Sequence, residues 1–137
     1  MKSALCLGIL SLLVFSTSAF AAAPKAGENS ANICNETATI CAQLQYLTDI
    51  NASNEGKFQV VVTTPQQESV QNFKLDLWMQ MGHHGHGSSP VEIAEVGPNQ
   101  FTISNAWFVM PGQWNVRVDF DFQGEHQHLE IPVIAAP

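Results

Sequence analysis

Between Met79 and His86 the chain holds two thioethers and three imidazoles, Met79, Met81, His83, His84 and His86. No other stretch concentrates metal-ligating side chains in this way. Thioethers suit a soft ion such as copper(I), and imidazoles suit copper(II) or zinc. Zinc fits less well, because zinc sites are built from thiolate, imidazole and carboxylate rather than thioether. Met79 and Met81 stand two apart, so on a strand their side chains leave one face. The histidines follow in a segment interrupted by Gly82, Gly85 and Gly87, which reads as a glycine-flanked loop. Met110, before Pro111-Gly112, joins the candidate ligands if its turn lies at the same end of the fold. Each residue has a plainer reading. Met79 and Met81 continue an apolar stripe and suit a core, Met110 suits packing at a turn, and the histidines suit a solvated loop. His126 and His128 alternate with Glu130 on the solvent side of a strand and read as surface residues, with a second metal patch as the rival reading.

The elements that must position these groups read as β-structure. Phe73, Leu75, Leu77, Met79 and Met81 alternate with Asn72, Lys74, Asp76, Trp78 and Gln80, the period of a half-buried strand. Trp114, Val116, Val118, Phe120 and Phe122 form a second apolar face, opposite Asn115, Arg117, Asp119 and Asp121. A one-residue slip would invert either set. Shorter runs at 58–64, 91–96, 101–108 and 129–133 are separated by turn signals, among them Gly97-Pro98-Asn99 and Gln123-Gly124. Pro132 suits an edge strand. The pattern predicts an all-β, antiparallel sandwich of about six to seven strands, preceded by a short N-terminal helix. Asn35 would cap that helix, and Ile40, Leu44 and Leu47 would line one face.

Residues 1–21 read as a secretory signal, with Lys2, an apolar run at 5–15 and the small-x-small site Ala19-Phe20-Ala21. Cleavage would leave 116 of the 137 residues. The rival is an uncleaved anchor, since residues 4–23 are long enough to span a bilayer. With the signal cleaved, no stable membrane insertion is expected. The organisation is then a signal at 1–21, a leader and disulfide-linked helical segment at 22–56, and the β-domain at 57–137. Removing the signal takes away Lys2 and no acidic residue, leaving four basic against twelve acidic side chains, a net charge of −8. That balance argues against nucleic acid and anionic membranes. Two cysteines remain, Cys34 and Cys41, and an exported chain with an even count pairs them. No catalytic motif stands out, and the cysteines lack the C-x-x-C spacing of redox enzymes.

Two segments together carry a resemblance: Trp78-Met79-Gln80-Met81-Gly82-His83, and Phe108-Val109-Met110-Pro111-Gly112-Gln113-Trp114-Asn115-Val116. A Met-x-Met-Gly-His strand end followed by Met-x-Gly-x-Trp resembles the YtkA-like and FixH-like exported domains, over residues 57–133. The resemblance implies an immunoglobulin-like β-sandwich linked to extracytoplasmic copper handling, and in the FixH-like branch the assembly of a haem-copper oxidase. The chain departs from it by His84 and His86, by its helix-and-cysteine prefix, and by a cleavable signal where FixH-like proteins keep an anchor. The expectation is a periplasmic or secreted, non-enzymatic copper-binding module, a carrier, buffer or assembly factor, whose partners are a metal ion and another extracytoplasmic metalloprotein. The alternative is a metal-free sandwich that docks a protein through its His-rich loop.

Overall fold

Along Cys41–Tyr46, Gly56–Thr63, Gln71–Met81, Gln100–Ala106, Gly112–Phe122 and Glu125–Ala135 alternate side chains are turned into the core, and that period builds two antiparallel sheets. The computed structural model describes residues 21–137. The expected signal at 1–21 therefore lies outside the described residues, Ala21 excepted. The first sheet contains β1 (Ile33–Cys34), β2 (Cys41–Tyr46), β3 (Gly56–Thr63), β6 (Glu92–Gly97) and β7 (Gln100–Ala106), in the order β1-β2-β3-β7-β6. The second contains β4 (Gln71–Met81), β5 (His84–Gly87), β8 (Gly112–Phe122) and β9 (Glu125–Ala135), in the order β5-β4-β8-β9.

The core is the shared inner face. The first sheet contributes Ala42, Leu44, Phe58, Val60, Val62, Phe101 and Ile103, and the second Leu75, Leu77, Trp114, Val116, Val118, Phe120, Leu129, Ile131 and Val133. Burying each large apolar side chain contributes about 1.5–3 kcal/mol. Phe73 and Phe101 stack across the gap, ring centroids 3.7 Å apart and 7° from parallel. Both stripes face inward and are buried except at Phe73, which is partly buried, and Met81, which is 43% exposed. They do not face each other, however, because β4 and β8 are neighbours in one sheet. Leu75 lies beside Val118 and Leu77 beside Val116, and both stripes face the first sheet. Arg117 and Asp119 lie outward and half-exposed.

Residues 35–50 differ from the sequence reading. Among the described residues there is no α-helix, only a 3-10 turn at Pro65–Gln67. Cys41–Tyr46 is a strand with Ala42, Leu44 and Tyr46 buried. Leu47, expected on the helix face, is 48% exposed. The segment matches both periods, and pairing with β3 decides between them, since Ala42 and Leu44 sit opposite Val62 and Val60. Asn35 caps a turn instead of a helix, its side-chain oxygen accepting from the amides of Thr39 and Ile40 at 3.1 and 3.2 Å. That turn reverses the chain so that Cys34 and Cys41 stand directly opposite in β1 and β2, where they form a disulfide. Residues 22–56 are thus joined to the first sheet through β1 and β2.

The turns follow local chemistry. Gln123 and Gly124, both at positive φ (51° and 83°), link β8 to β9. Such a pair supplies the twist of a two-residue hairpin. β9 is an edge of its sheet, which accommodates Pro132. Among the described residues no helix is long and apolar enough to cross a membrane.

Candidate metal site on the β4–β5 hairpin

The Met/His stretch is a hairpin, not a loose loop. β4 ends at Met81, Gly82 and His83 turn the chain, and β5 starts at His84. Gly82 has φ +57°, and glycine at the first of two turn residues is the requirement of the type II′ hairpin. The register places Met81 opposite His84 and Met79 opposite His86. Leu75, Leu77 and Met79 face inward on β4, so Met81 shares their face, and the cross-strand pairing brings His84 and His86 to it too. Directly paired strand residues have Cβ atoms about 4.5–5.5 Å apart, a separation that one metal ion can bridge through two side chains.

The six candidate ligands separate into four environments. Met79 is buried, 6% exposed, and its Cε lies 3.3 Å from where a Cβ on Gly112 would stand. Met81 is 43% exposed, and His84 and His86 are exposed beside it. His83 occupies the turn, exposed and outside the paired strands. Met110 is half-buried against the core in the segment that crosses from β7 to β8. That segment is fixed by Trp114, whose buried indole N–H donates to the Met110 carbonyl at 2.9 Å and whose ring meets Phe108 edge-on at 5.6 Å.

Gly85 and Gly87 do not turn the chain. They lie on the opposite face of the hairpin, where the Trp78 ring occupies the space beside Gly85. A Cβ there would stand 2.3–2.5 Å from three indole atoms. The Trp78 ring is in turn covered by the Arg117 guanidinium, 4.4 Å from the ring centroid. Arg117 also grips Asp76 through two hydrogen bonds of 2.6 and 2.5 Å, and the Asp76 carboxylate holds its pKa above the ordinary arginine value. Gln80 ties the turn by donating to the carbonyls of Gly82 and His84 at 2.9 and 3.2 Å, while accepting from the Trp78 indole at 3.3 Å. One face of the hairpin therefore braces it and the other presents sulfur and nitrogen. The alternation His84-Gly85-His86-Gly87 was the sequence signal for this, because period two is the period of a strand.

Among the described residues no three His, Cys, Asp or Glu side chains are posed around a ready metal position. The hairpin's donor set differs from that kind of site because half of it is thioether. The sequence profile of the YtkA-like family matches residues 35–119, more than half of the chain. The chain belongs to the YtkA-like family. The matched region of this YtkA-like chain includes the hairpin, Met110, Trp114 and Cys41, and begins one residue after Cys34. Searches of curated proteins and of solved structures gave no match.

Proposed function

We propose that this YtkA-like protein is an exported, non-enzymatic copper-binding module, a carrier, buffer or assembly factor, with its two sheets forming an immunoglobulin-like sandwich. The observation that carries the reading is the register of the hairpin. Met81 opposite His84 and Met79 opposite His86 set two thioethers and two imidazoles on one face. Met79, at the buried end, supplies a soft donor away from water, while Met81 and the histidines remain open to an incoming ion. A mixed sulfur and nitrogen set suits copper(I), and its imidazoles also suit copper(II). The Cys34–Cys41 disulfide agrees with an oxidising, extracytoplasmic compartment, periplasmic or secreted.

The test is a competition titration of the full chain against a copper(I) chromophore. The variant M81L/H84A/H86A should lose copper(I) affinity by at least about tenfold, with its circular dichroism unchanged, because these three side chains are exposed. Equal affinity in the variant and the parent would remove the hairpin from consideration.

One observation favours a second reading, in which the same end docks a protein without metal. Met81, Trp107 and Val109 are 43%, 38% and 56% exposed, and Ser88, just after β5, hydrogen-bonds to the Trp107 carbonyl. Absence of copper binding in the parent chain would leave this as the better account.

A further inference from the structure

The outer face of the second sheet carries a separate cluster. Asp119 stands opposite His128, and Asp121 opposite His126, in the β8–β9 pairing. His126 and His128 are two apart on β9, so both imidazoles leave the same face. They converge on one oxygen. Asp119 Oδ1 lies 3.2 Å from His126 Nε2 and 2.8 Å from His128 Nδ1. The remaining ring nitrogens are held from outside, His126 Nδ1 by Asp121 at 3.3 Å and His128 Nε2 by Glu130 at 3.2 Å.

We propose that His126, His128 and Asp119 form a second metal site, for a divalent, imidazole-seeking ion such as zinc(II) or copper(II), on the outer face of β8 and β9. The donors are two imidazoles and a carboxylate, with no thioether, so the site discriminates against copper(I). Ligands about 2.0–2.1 Å from a tetrahedral ion stand about 3.3 Å from one another. The present separations of 3.2 and 2.8 Å are short of that by roughly half an ångström or less. Hydrogen bonds occupy the space between the three donors, and among the described residues no three such side chains stand around a ready metal position. A metal takes the place of the bridging protons, and small rotations of these surface side chains open the gap. His126 and His128 are 64% and 46% exposed at their side chains, which leaves room for such rotation. Asp121 and Glu130 occupy the outer positions that orient metal-bound imidazoles, where a carboxylate accepts the far ring N–H.

The proton balance follows from the same contacts. A carboxylate only accepts, so an imidazole flanked by two carboxylates satisfies both only as imidazolium. The Asp119 hydrogen bond, and then Glu130, raise the His128 pKa above the ordinary value against some desolvation. Imidazole ligates a metal only in its neutral form, so affinity rises with pH. Other charges near the cluster are Asp76 and Lys74 on β4, Arg117 on β8 and Glu125 on β9. Lys74 stands opposite Asp119 in the β4–β8 pairing. The Asn72 hydrogen bond, helped by the Lys74 charge, holds the Asp121 carboxyl below its ordinary pKa.

The experiment uses the full chain carrying H83A/H84A/H86A, so that the hairpin has no imidazole, with Zn2+ as probe at pH 7.5 against a zinc chromophore. One zinc equivalent should remain. Adding H126A/H128A, or D119N alone, should lower its affinity at least tenfold. In the folded parent, zinc should shift the ring resonances of His126 and His128, and copper(I) should leave them in place. No zinc bound in the H83A/H84A/H86A chain, or ring resonances unmoved by zinc, would overturn the proposal. Loss of zinc binding that leaves copper(I) binding intact would separate this site from the hairpin.

Discussion

Gly85→Ala probes how the hairpin is held. The added Cβ would stand 2.3 Å from Trp78 Cζ2, 2.4 Å from Cε2 and 2.5 Å from Nε1. Ordinary carbon contacts lie at about 3.5–4.0 Å, so the ring must move by roughly 1 Å or more. Gly85 is not in the positive-φ region, so alanine carries no backbone penalty and the clash is the whole effect. Displacing the ring weakens its contact with Arg117, about 0.5–1 kcal/mol at an exposed site. It also weakens the indole hydrogen bond to Gln80, about 0.5–1.5 kcal/mol. The expected loss is about 1–2 kcal/mol in urea denaturation, with faster hydrogen exchange in β5 and weaker copper(I) binding, although no candidate ligand has changed. In a Trp78→Ala background the obstacle is gone. Gly85→Ala there should be neutral or stabilising by about 0.4–1 kcal/mol, because it restricts the unfolded chain. The two backgrounds should therefore differ in sign, a coupling of the kind that neighbouring residues show. The same destabilisation in both backgrounds would refute the brace.

Val118→Ala empties a position with no exposed area and should cost about 1–3 kcal/mol; an unchanged urea midpoint would contradict the buried register of β8. Opening the Cys34–Cys41 link with a double serine variant should cost about 2.5 kcal/mol, the loop-closure value for so short a ring, and thiol labelling of the native parent should find no reactive cysteine. The raised His128 pKa makes its contribution complete below the ordinary histidine value of about 6.5 and lost as pH rises through the higher folded-state value. With a chelator present, the thermal midpoint should fall between about pH 6 and 8, and H128Q should flatten that part of the profile; an unaltered slope would place its origin elsewhere.

Local patterns in the chain were enough for the main strands. The alternation of Leu75, Leu77 and Met79, and of Trp114, Val116, Val118 and Phe120, requires strands with those residues inward, because side chains on a strand alternate between faces. The turn at Gln123-Gly124 and the edge position of Pro132 follow from backbone preference alone. The even cysteine count expected once a signal is removed pointed to the Cys34–Cys41 disulfide. The concentration of sulfur and nitrogen donors between Met79 and His86 was equally visible.

Tertiary structure decided matters that depend on a partner distant in sequence. Ile40, Leu44 and Leu47 match a helix while Ala42, Leu44 and Tyr46 match a strand, and only pairing with β3 selects the second. The long apolar stripes on β4 and β8 could have faced each other; sheet order makes them neighbours, and this is a property of topology rather than of period. Gly85 looked like a turn residue until Trp78 took the space beside it. His126 and His128 looked like isolated surface residues, because Asp119 and Asp121 reach them only through the register of β8 with β9. A strand carries its period in its own residues, but what stands opposite each side chain is set by the neighbouring strand.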